Sequence, residues 1–320
     1  MGIFSYTQLD DRGVLSVSGE DAREFLQGLI SNDMDRVNPK RATWAAFLTA
    51  QGKYLHDFFI FQKPTNAGDS TETFLIDCEA ARRDDLMKRL RIYKLRSRAD
   101  IEDRTDDLGV AAVFGDPTVV TEAFVLQQTE GAASTVTGGL ACVDPRLAAA
   151  GVRVIIARDG LDKVLKAHGA ENAEPETYDR LRLRLGLPDG SRDMIIEKSV
   201  LLEGGFEELN GVDFDKGCYL GQELTARTKH RGLVKRRLLP VVFDGPSPLP
   251  GAAIFMEGRE AGEMRSSRDG HGLAILRIDA VERGDGKTIE LTAGETKITP
   301  HRPIWATPAS NSKQQEKQSE

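Results

Sequence analysis

Near the C-terminus, six short β-prone runs follow one another at regular spacing, separated by glycine and proline. Regularly spaced short strands of this kind are typical of a small antiparallel barrel. The runs cover residues 239–243, 252–256, 262–265, 272–278, 288–291 and 296–298. We therefore predict a C-terminal antiparallel β-barrel over residues 236–306. The polar tail that follows, residues 307–320, is predicted to be disordered.

The preceding residues, 1–235, alternate short strands with helices and contain many hairpin-like connections. Hydrophobic periodicity places strands at 6–9, 14–18, 43–48, 54–61, 73–76, 101–103, 109–114 and 152–156, and helices at 22–30, 80–95, 160–168 and 175–185. The segment 118–138 is only weakly patterned. This mixture predicts an α+β fold in two interleaved subdomains, and not a doubly wound parallel sheet. No Gly-rich phosphate-binding sequence follows a predicted strand, which argues against a nucleotide-dependent enzyme.

The sequence Lys-Gly-Cys-Tyr-Leu-Gly-Gln-Glu, residues 216–223, lies between a predicted short strand (211–214) and a predicted helix (223–230). Cys218 is thus placed close to a helix N-terminus, where unpaired backbone N–H groups and the helix dipole favour an anion. The neighbouring Lys216 adds a positive charge, so we expect a larger thiolate fraction at Cys218. The glycines, Gly217 and Gly221, allow close backbone approach.

The local sequence leaves the role of Cys218 open, because free cysteines are often inert packing residues in a protein core. A papain-like pair with His230 is excluded on one continuous helix. The twelve-residue separation places the two side chains about 18 Å apart along the axis. Glu223 and Arg227 are four residues apart. They either form a surface ion pair of about 0.3–0.5 kcal/mol, or Arg227 holds a carboxylate of a ligand.

The same string resembles the K-G-C-[FY]-x-G-Q-E signature of the YgfZ family and matches each of its fixed positions. These positions are Lys216, Gly217, Cys218, Tyr219, Gly221, Gln222 and Glu223. YgfZ proteins are folate-binding proteins of iron–sulfur cluster assembly or repair, related to the glycine-cleavage T-protein. The resemblance implies a T-protein-like multidomain fold around a central folate cavity, with tetrahydrofolate or a derivative as cofactor. It also implies iron–sulfur client proteins as partners and a reactive Cys218, used in redox chemistry or in transient contact with a cluster or partner.

Two carboxylates acquire folate-binding roles through this resemblance. Glu203, in Val-Leu-Leu-Glu-Gly-Gly, falls on the T-protein glutamate that binds the pterin ring, where a carboxylate can accept two N–H donors side by side. Asp57, in an apolar predicted strand, falls on the aspartate beside the reactive folate nitrogen. A charge in such a strand must be paired or face a cavity, unless that face of the strand is wet. Asn32 and Asp33 also match a T-protein pattern, and we interpret them as a side-chain-stabilised turn.

Two other functions stay open at this point. One is a folate-dependent aminomethyltransferase or demethylase of the T-protein class, although T-proteins lack the signature cysteine. The other is an RNA-binding factor related to tRNA modification, using a basic cluster that consists of Lys229, His230, Arg231, Lys235, Arg236 and Arg237. The formal net charge of −7 argues weakly against non-specific nucleic-acid binding.

Composition bounds the remaining possibilities. A chain of 320 residues is long enough for two or three domains. Three widely separated cysteines argue against a disulfide framework and a Cys-x-x-Cys metal site, so no metal site is predicted. No secretory signal and no apolar run of membrane-spanning length is visible. We therefore expect a bacterial cytoplasmic protein that does not bind membranes, and the sequence leaves its oligomeric state undetermined.

Overall fold

Two mostly antiparallel sheets and a closed barrel make up the computed structural model, which describes residues 4–65, 71–232, 234–282 and 290–306. The predicted tail, residues 307–320, lies outside the described residues. The prediction of an α+β fold is confirmed. Within the described ranges, no helix has the length and apolar character that a membrane span requires.

The first sheet has six strands in the order β11-β1-β7-β10-β9-β8. Its strands are β1 (Phe4–Gln8), β7 (Leu108–Phe114), β8 (Ala133–Val136), β9 (Gly139–Val143), β10 (Val152–Ala157) and β11 (Ala170–Asn172). The pair β1 and β11 is parallel, and the other pairs in this sheet are antiparallel. This arrangement brings the start of the chain beside residues near 170.

The second sheet has five antiparallel strands in the order β3-β4-β5-β2-β6. They are β2 (Arg12–Ser18), β3 (Thr43–Leu48), β4 (Tyr54–Gln62), β5 (Thr73–Glu79) and β6 (Asp100–Asp103). The strands β3 and β4 form a hairpin whose turn, residues 49–53, becomes important below. Inward-facing residues of both sheets share one central core, which includes Trp44, Phe59 and Ile155.

Helices cover the outer faces of the two sheets. The helices α1 (Ala22–Gln27) and α2 (Arg83–Lys94) pack on the five-stranded sheet, and α3 (Pro117–Ala123) and α4 (Leu161–Ala167) pack on the six-stranded sheet. The remaining helices are α5 (Pro175–Leu185), α6 (Gly190–Asp193), α7 (Gln222–His230) and α8 (Ile278–Glu282). The helix α5 begins at Pro175 and ends at Gly186 in the left-handed conformation, as its sequence signals predict.

The predicted C-terminal barrel is confirmed as a closed six-stranded antiparallel barrel. Its strands are β12 (Arg236–Phe243), β13 (Ala253–Met256), β14 (Arg259–Arg268), β15 (His271–Arg277), β16 (Leu291–Ala293) and β17 (Thr296–Pro300). The predicted strand 288–291 falls partly outside the described residues, and β16 begins at its last position. The barrel contacts α5 through a small apolar cluster that contains Leu183, Leu238 and Leu273.

One local prediction is wrong, and one segment left without an assignment contains regular structure. The predicted strand 211–214 is irregular, because its backbone and side chains hydrogen-bond to the turn around Ser31 and not to a sheet. The weakly patterned segment 118–138 contains most of α3 and all of β8. Asp116 begins α3 by accepting hydrogen bonds from the backbone N–H groups of Thr118 and Val119, a capping signal that outweighs the β-branched residues after it.

Candidate functional site

Lys216 anchors the segment that carries Cys218. Its buried ammonium donates three hydrogen bonds of 2.7–2.8 Å, to the backbone carbonyls of Gln27, Ile30 and Asn32. It also lies 5.0 Å from the centre of the Tyr219 ring. Burial lowers the pKa of Lys216 to about 8. The Lys216 ammonium is thus bound to the turn after α1 and does not face Cys218 alone. Its charge therefore gives less support to the expected thiolate at Cys218.

The turn after α1 and the signature segment are held together by further hydrogen bonds. Ser31 accepts a bond from the Asp213 N–H and donates one to the carbonyl of Gly211. Asn32 donates to the carbonyl of Asn210, and its own oxygen accepts from the Asp33 N–H, which confirms the predicted turn. Two sequence patterns almost two hundred residues apart therefore form one substructure.

The two residues that follow Cys218 point into two different cores. Tyr219 is buried in the central core between the sheets, whereas Leu220 packs against the outer core beneath α1 and α2. The backbone N–H of Leu220 also donates to the carbonyl of Gly28. With Lys216 fixed on one side and these two residues on the other, only Gly217 and Cys218 are left exposed.

Gly221 ends this loop where no other residue fits. Its φ is +80°, and an added Cβ would lie 2.4 Å from the Thr49 carbonyl oxygen and 2.9 Å from the Leu48 Cβ. The residue sits against the β3–β4 turn and begins α7. A side chain here would combine left-handed backbone strain with a clash against main chain.

Cys218 is exposed, whereas Cys78 and Cys142 are buried. Cys218 lies four positions before Gln222, the first residue of α7, so it precedes the helix and is not part of its first turn. The structure thus excludes the alternative in which Cys218 is an inert core residue.

We expect an alkylating reagent to modify one thiol per native chain rapidly and all three after unfolding. Burial raises the pKa of Cys78 to about 12 and raises that of Cys142 well above its usual value, so neither thiol reacts quickly in the folded protein. Mass spectrometry after a short iodoacetamide pulse measures this directly. Cys218→Ser should remove the fast reaction, and a second fast thiol in that variant would contradict the burial.

The Lys216→Met variant is expected to unfold with a free energy about 3 kcal/mol lower than the wild type. The substitution keeps the apolar stem and removes the only donor that the three carbonyls share, and buried acceptors left without donors are costly. Urea denaturation followed by fluorescence measures the change. Lys235→Met, at an exposed lysine, is the matched control and should alter stability by less than about 0.5 kcal/mol. Equal stability of both variants would refute the anchoring role.

A central cavity of about 330 Å³ lies between the sheets, α5 and the barrel. Its walls are unusually rich in arginine: Arg12, Arg146, Arg153, Arg182, Arg192 and Arg268. Buried carboxylates pair with these cations. Asp77 is shared by Arg12 and Arg153, and Asp144 holds Arg146. Asp179 binds Arg182 at 2.7 Å and Arg268 at 2.7 Å.

Asp57 lines this cavity, the location that the family resemblance implies. Its two carboxylate oxygens accept hydrogen bonds from Tyr54 Oη at 2.6 Å and from Trp44 Nε1 at 2.9 Å. Burial raises the pKa of Asp57, and Arg12 together with these two hydrogen bonds opposes that rise. Asp57 is thus a paired carboxylate on a cavity wall.

Glu203 does not line the cavity that Asp57 lines. It lies in a 3-10 turn, Leu201–Gly204, and is half-buried. Burial raises its pKa, and Arg236 and Lys53 oppose the rise. Asp57 and Glu203, the two predicted folate carboxylates, therefore do not line the same cavity. Trp44, which binds Asp57, stacks at 4.0 Å on Phe206, just after that turn.

Arg182 carries a buried donor that no group in the described structure accepts. The residue is 3% exposed, lines the cavity, and its Nη2 atom has no hydrogen-bond partner. Sequence reasoning missed this residue and the other cavity charges. A signal existed for Arg153 and for Asp77, which pairs with it, because both are charges inside apolar strands, as Asp57 is.

The remaining predicted site residues lie outside this cavity. Arg227 is exposed, and among the described residues Glu223 and Arg227 form no ion pair with each other. Part of the basic cluster is neutralised, since Lys229 pairs with Glu207 at 2.7 Å and Arg237 pairs with Glu208. The cluster thus offers nucleic acid fewer free cations than its sequence indicates.

Comparison with known proteins gives consistent results. Residues 235–308 match the family described as the CAF17 C-terminal beta-barrel domain. Iron-sulfur cluster assembly factor IBA57, mitochondrial, from Mus musculus is 33% identical over 290 residues, which cover 86% of this chain and 78% of the mouse protein. The Homo sapiens protein of the same name is 34% identical over 288 residues, with 86% and 78% covered.

A solved structure shows the same fold. The glycine cleavage system aminomethyltransferase T from Bartonella henselae superimposes with a TM-score of 0.73 and 13% identity, covering 95% of this chain and 87% of that chain. The predicted T-protein-like fold is thereby confirmed. The expected bacterial cytoplasmic location is wrong by the same comparisons, because the similar human and mouse proteins are mitochondrial.

Proposed function

Because this chain belongs to the IBA57 family of iron–sulfur cluster assembly factors, we propose that it assists cluster assembly through Cys218. The family is related to the YgfZ proteins that the signature resembles. The observation that carries the proposal is the exposed thiol on a loop fixed at both ends. A rigidly held, exposed cysteine can bind iron without a rearrangement of the chain that presents it.

Cys218 can supply one ligand of a cluster that takes four. The other two cysteines are buried in separate cores, so we propose that the remaining ligands come from a partner protein. The cluster is then cargo shared between two proteins for a limited time. This arrangement makes the position of the thiol more important than the number of thiols.

Reconstitution with a purified iron–sulfur carrier protein tests the proposal. We expect a mixture of this chain and a [2Fe–2S]-loaded, cysteine-containing carrier of net negative charge to show a visible circular dichroism spectrum that neither protein gives alone. Cys218→Ser should abolish that spectrum. The double variant Cys218→Ser/Thr137→Cys keeps an exposed thiol at a remote hairpin turn and should not restore it. An unchanged spectrum with Cys218→Ser would refute the proposal.

For the central cavity, we propose tetrahydrofolate or a derivative as the ligand. The volume of about 330 Å³ falls at the lower end of the range for small-molecule sites. The unpartnered Arg182 Nη2 offers a donor to a ligand oxygen, and Asp57 offers a carboxylate to its nitrogen atoms. When bound, tetrahydrofolate would supply nitrogen atoms able to carry a one-carbon group. Glu203 enters this proposal from sequence resemblance only.

Calorimetric titration with tetrahydrofolate separates the two carboxylates. If the ligand occupies the cavity, Asp57→Asn should weaken binding by about tenfold or more, since one hydrogen-bonded carboxylate is worth about 1.5–3 kcal/mol. Glu203→Gln should then change little. The opposite pattern would place the pterin ring at the 3-10 turn, and absence of binding to the wild type would reject the folate proposal. Thermal melting of both variants controls for folding.

A further inference from the structure

The C-terminal end of α2 exposes apolar side chains to solvent. Ile92 is 60% exposed, Tyr93 is 40% exposed and Leu95 is 88% exposed. Three neighbouring large apolar residues on one helix end differ from the singly scattered ones that soluble proteins normally show. We call these three residues the α2 patch.

The α2 patch lies at the same end of the β3–β4 hairpin as the signature loop. The Tyr93 ring packs edge-on against Phe47 with centroids 5.8 Å apart. Phe47 is bridged to Ile30, whose carbonyl accepts from Lys216. Leu220, two residues after Cys218, packs on the same outer core as Phe47. The exposed thiol and the apolar helix end therefore flank one region of the surface.

The segments that carry the α2 patch and Cys218 each include a stretch rich in cations. Residues 86–99 contain six lysines and arginines and no acidic residue, and residues 224–237 contain another six and none. Several of these cations have no ion-pair partner within the described ranges. They are Lys88 and Arg91 in α2, Arg96 just after it, and Arg227, Arg231 and Lys235 in and after α7. The other cations of residues 86–99 are paired: Arg89 with Asp85, Lys94 with Asp100 and Arg98 with Asp21. One exposed acid, Glu223, lies at the start of α7.

We propose that the α2 patch and its cationic surroundings dock an acidic protein that delivers or receives the cluster at Cys218. This inference rests on the proposed function and names the chemistry of its partner. Apolar anchors within a charged rim are typical of protein–protein interfaces, and opposite charge guides the encounter. A chain with net charge −7 repels acidic proteins elsewhere on its surface, so the basic region also fixes where the partner lands.

A protein partner explains the surface better than RNA does. Phosphates contact cations, whereas Ile92 and Leu95 are aliphatic side chains that gain from burial against another apolar surface. These two residues lie on the helix end whose Tyr93 contacts Phe47, and Phe47 belongs to the outer core on which Leu220 packs, two residues after the thiol. RNA would be held by cations alone and would leave the aliphatic side chains in water.

Binding of the apo form of the same acidic carrier, followed by fluorescence anisotropy, tests the docking surface. Ile92→Asn/Leu95→Asn should weaken binding by about tenfold or more, the loss expected when central anchors are removed. Val125→Asn/Leu249→Asn is the matched control. Val125 is 89% exposed and Leu95 is 88% exposed, and both have a positive φ, +54° and +46°, so the control matches exposure and the sign of φ. The control variant should bind as the wild type does.

Charge variants and RNA complete the test. Lys88→Gln/Arg96→Gln should weaken carrier binding about fivefold at about 50 mM salt and less at about 200 mM. Wild-type affinity of Ile92→Asn/Leu95→Asn would overturn the proposal. A single-stranded RNA of about 20 nucleotides that binds more tightly than the carrier and displaces it would overturn it as well.

The two proposals fail in distinguishable ways. Docking through the α2 patch predicts that Cys218→Ser binds the apo carrier with wild-type affinity while losing the shared cluster. If Cys218→Ser keeps the shared cluster and Ile92→Asn/Leu95→Asn loses binding, the thiol proposal fails and the docking surface stands. If both variants bind normally and only the cluster is lost, the docking surface is wrong and Cys218 keeps its role.

Discussion

The Cys218→Ser variant is expected to deliver clusters to an apo iron–sulfur enzyme at a rate lower by about tenfold or more. That is the scale of loss when even an outer partner of a metal ligand is removed, and Cys218 is proposed to be a ligand itself. Serine has nearly the same size but binds iron poorly at neutral pH, because its hydroxyl keeps its proton. The regain of enzyme activity, started by adding the loaded carrier, measures the rate.

Stability and folding controls make this result specific. Because Cys218 is exposed and its neighbours hold the loop, Cys218→Ser should keep the wild-type free energy of unfolding within about 0.5 kcal/mol. The Lys216→Met variant tests the opposite combination, an intact thiol on a destabilised loop. A wild-type delivery rate with serine at this position would show that the thiol has no part in transfer.

Replacing Asp77 by alanine should lower the free energy of unfolding by about 3–5 kcal/mol. Asp77 is fully buried and shared by two buried guanidiniums: Arg12 Nε lies 2.6 Å from one carboxylate oxygen, and Arg153 Nε contacts the other. Removal of the common anion leaves both cations buried without a partner, which is the most costly way to break a buried ion pair. Loss of the Asp77 ion pairs should also weaken the contact between the two sheets. Arg12 and Asp77 belong to the five-stranded sheet, and Arg153 belongs to the six-stranded sheet.

Two controls isolate the cause of the Asp77→Ala effect. The triple variant Arg12→Met/Asp77→Leu/Arg153→Met removes all three charges and should recover most of the loss, because no unpaired charge remains. Asp107→Ala breaks an exposed pair with Arg104, 2.8 Å apart, and should change stability by less than about 1 kcal/mol. Urea denaturation compares the midpoint of the first unfolding transition in the wild type and the three variants. An Asp77→Ala midpoint equal to that of Asp107→Ala would contradict the shared-anion explanation.

Local signals in the sequence were sufficient for most elements. The helix bounded by Pro175 and Gly186 occurs at its predicted residues, because proline and glycine act within one turn of chain. The C-terminal strands were visible for a similar reason, since each is short and bounded by turn residues. The strand predicted at 211–214 failed because its hydrogen-bonding partner, the turn at Ser31, is 180 residues away. No local pattern contains that information.

The sequence by itself determined the fold class, the signature string and the residue that carries the thiol. Only the tertiary structure decided that Cys218 is exposed, that the Lys216 charge is occupied elsewhere, and that Asp57 and Glu203 do not share a cavity wall. The physical reason is the distance along the chain over which each interaction acts. Propensities and caps act between neighbours, whereas burial, ion pairing and the approach of Gly221 to the β3–β4 turn depend on segments that meet only after the chain has folded.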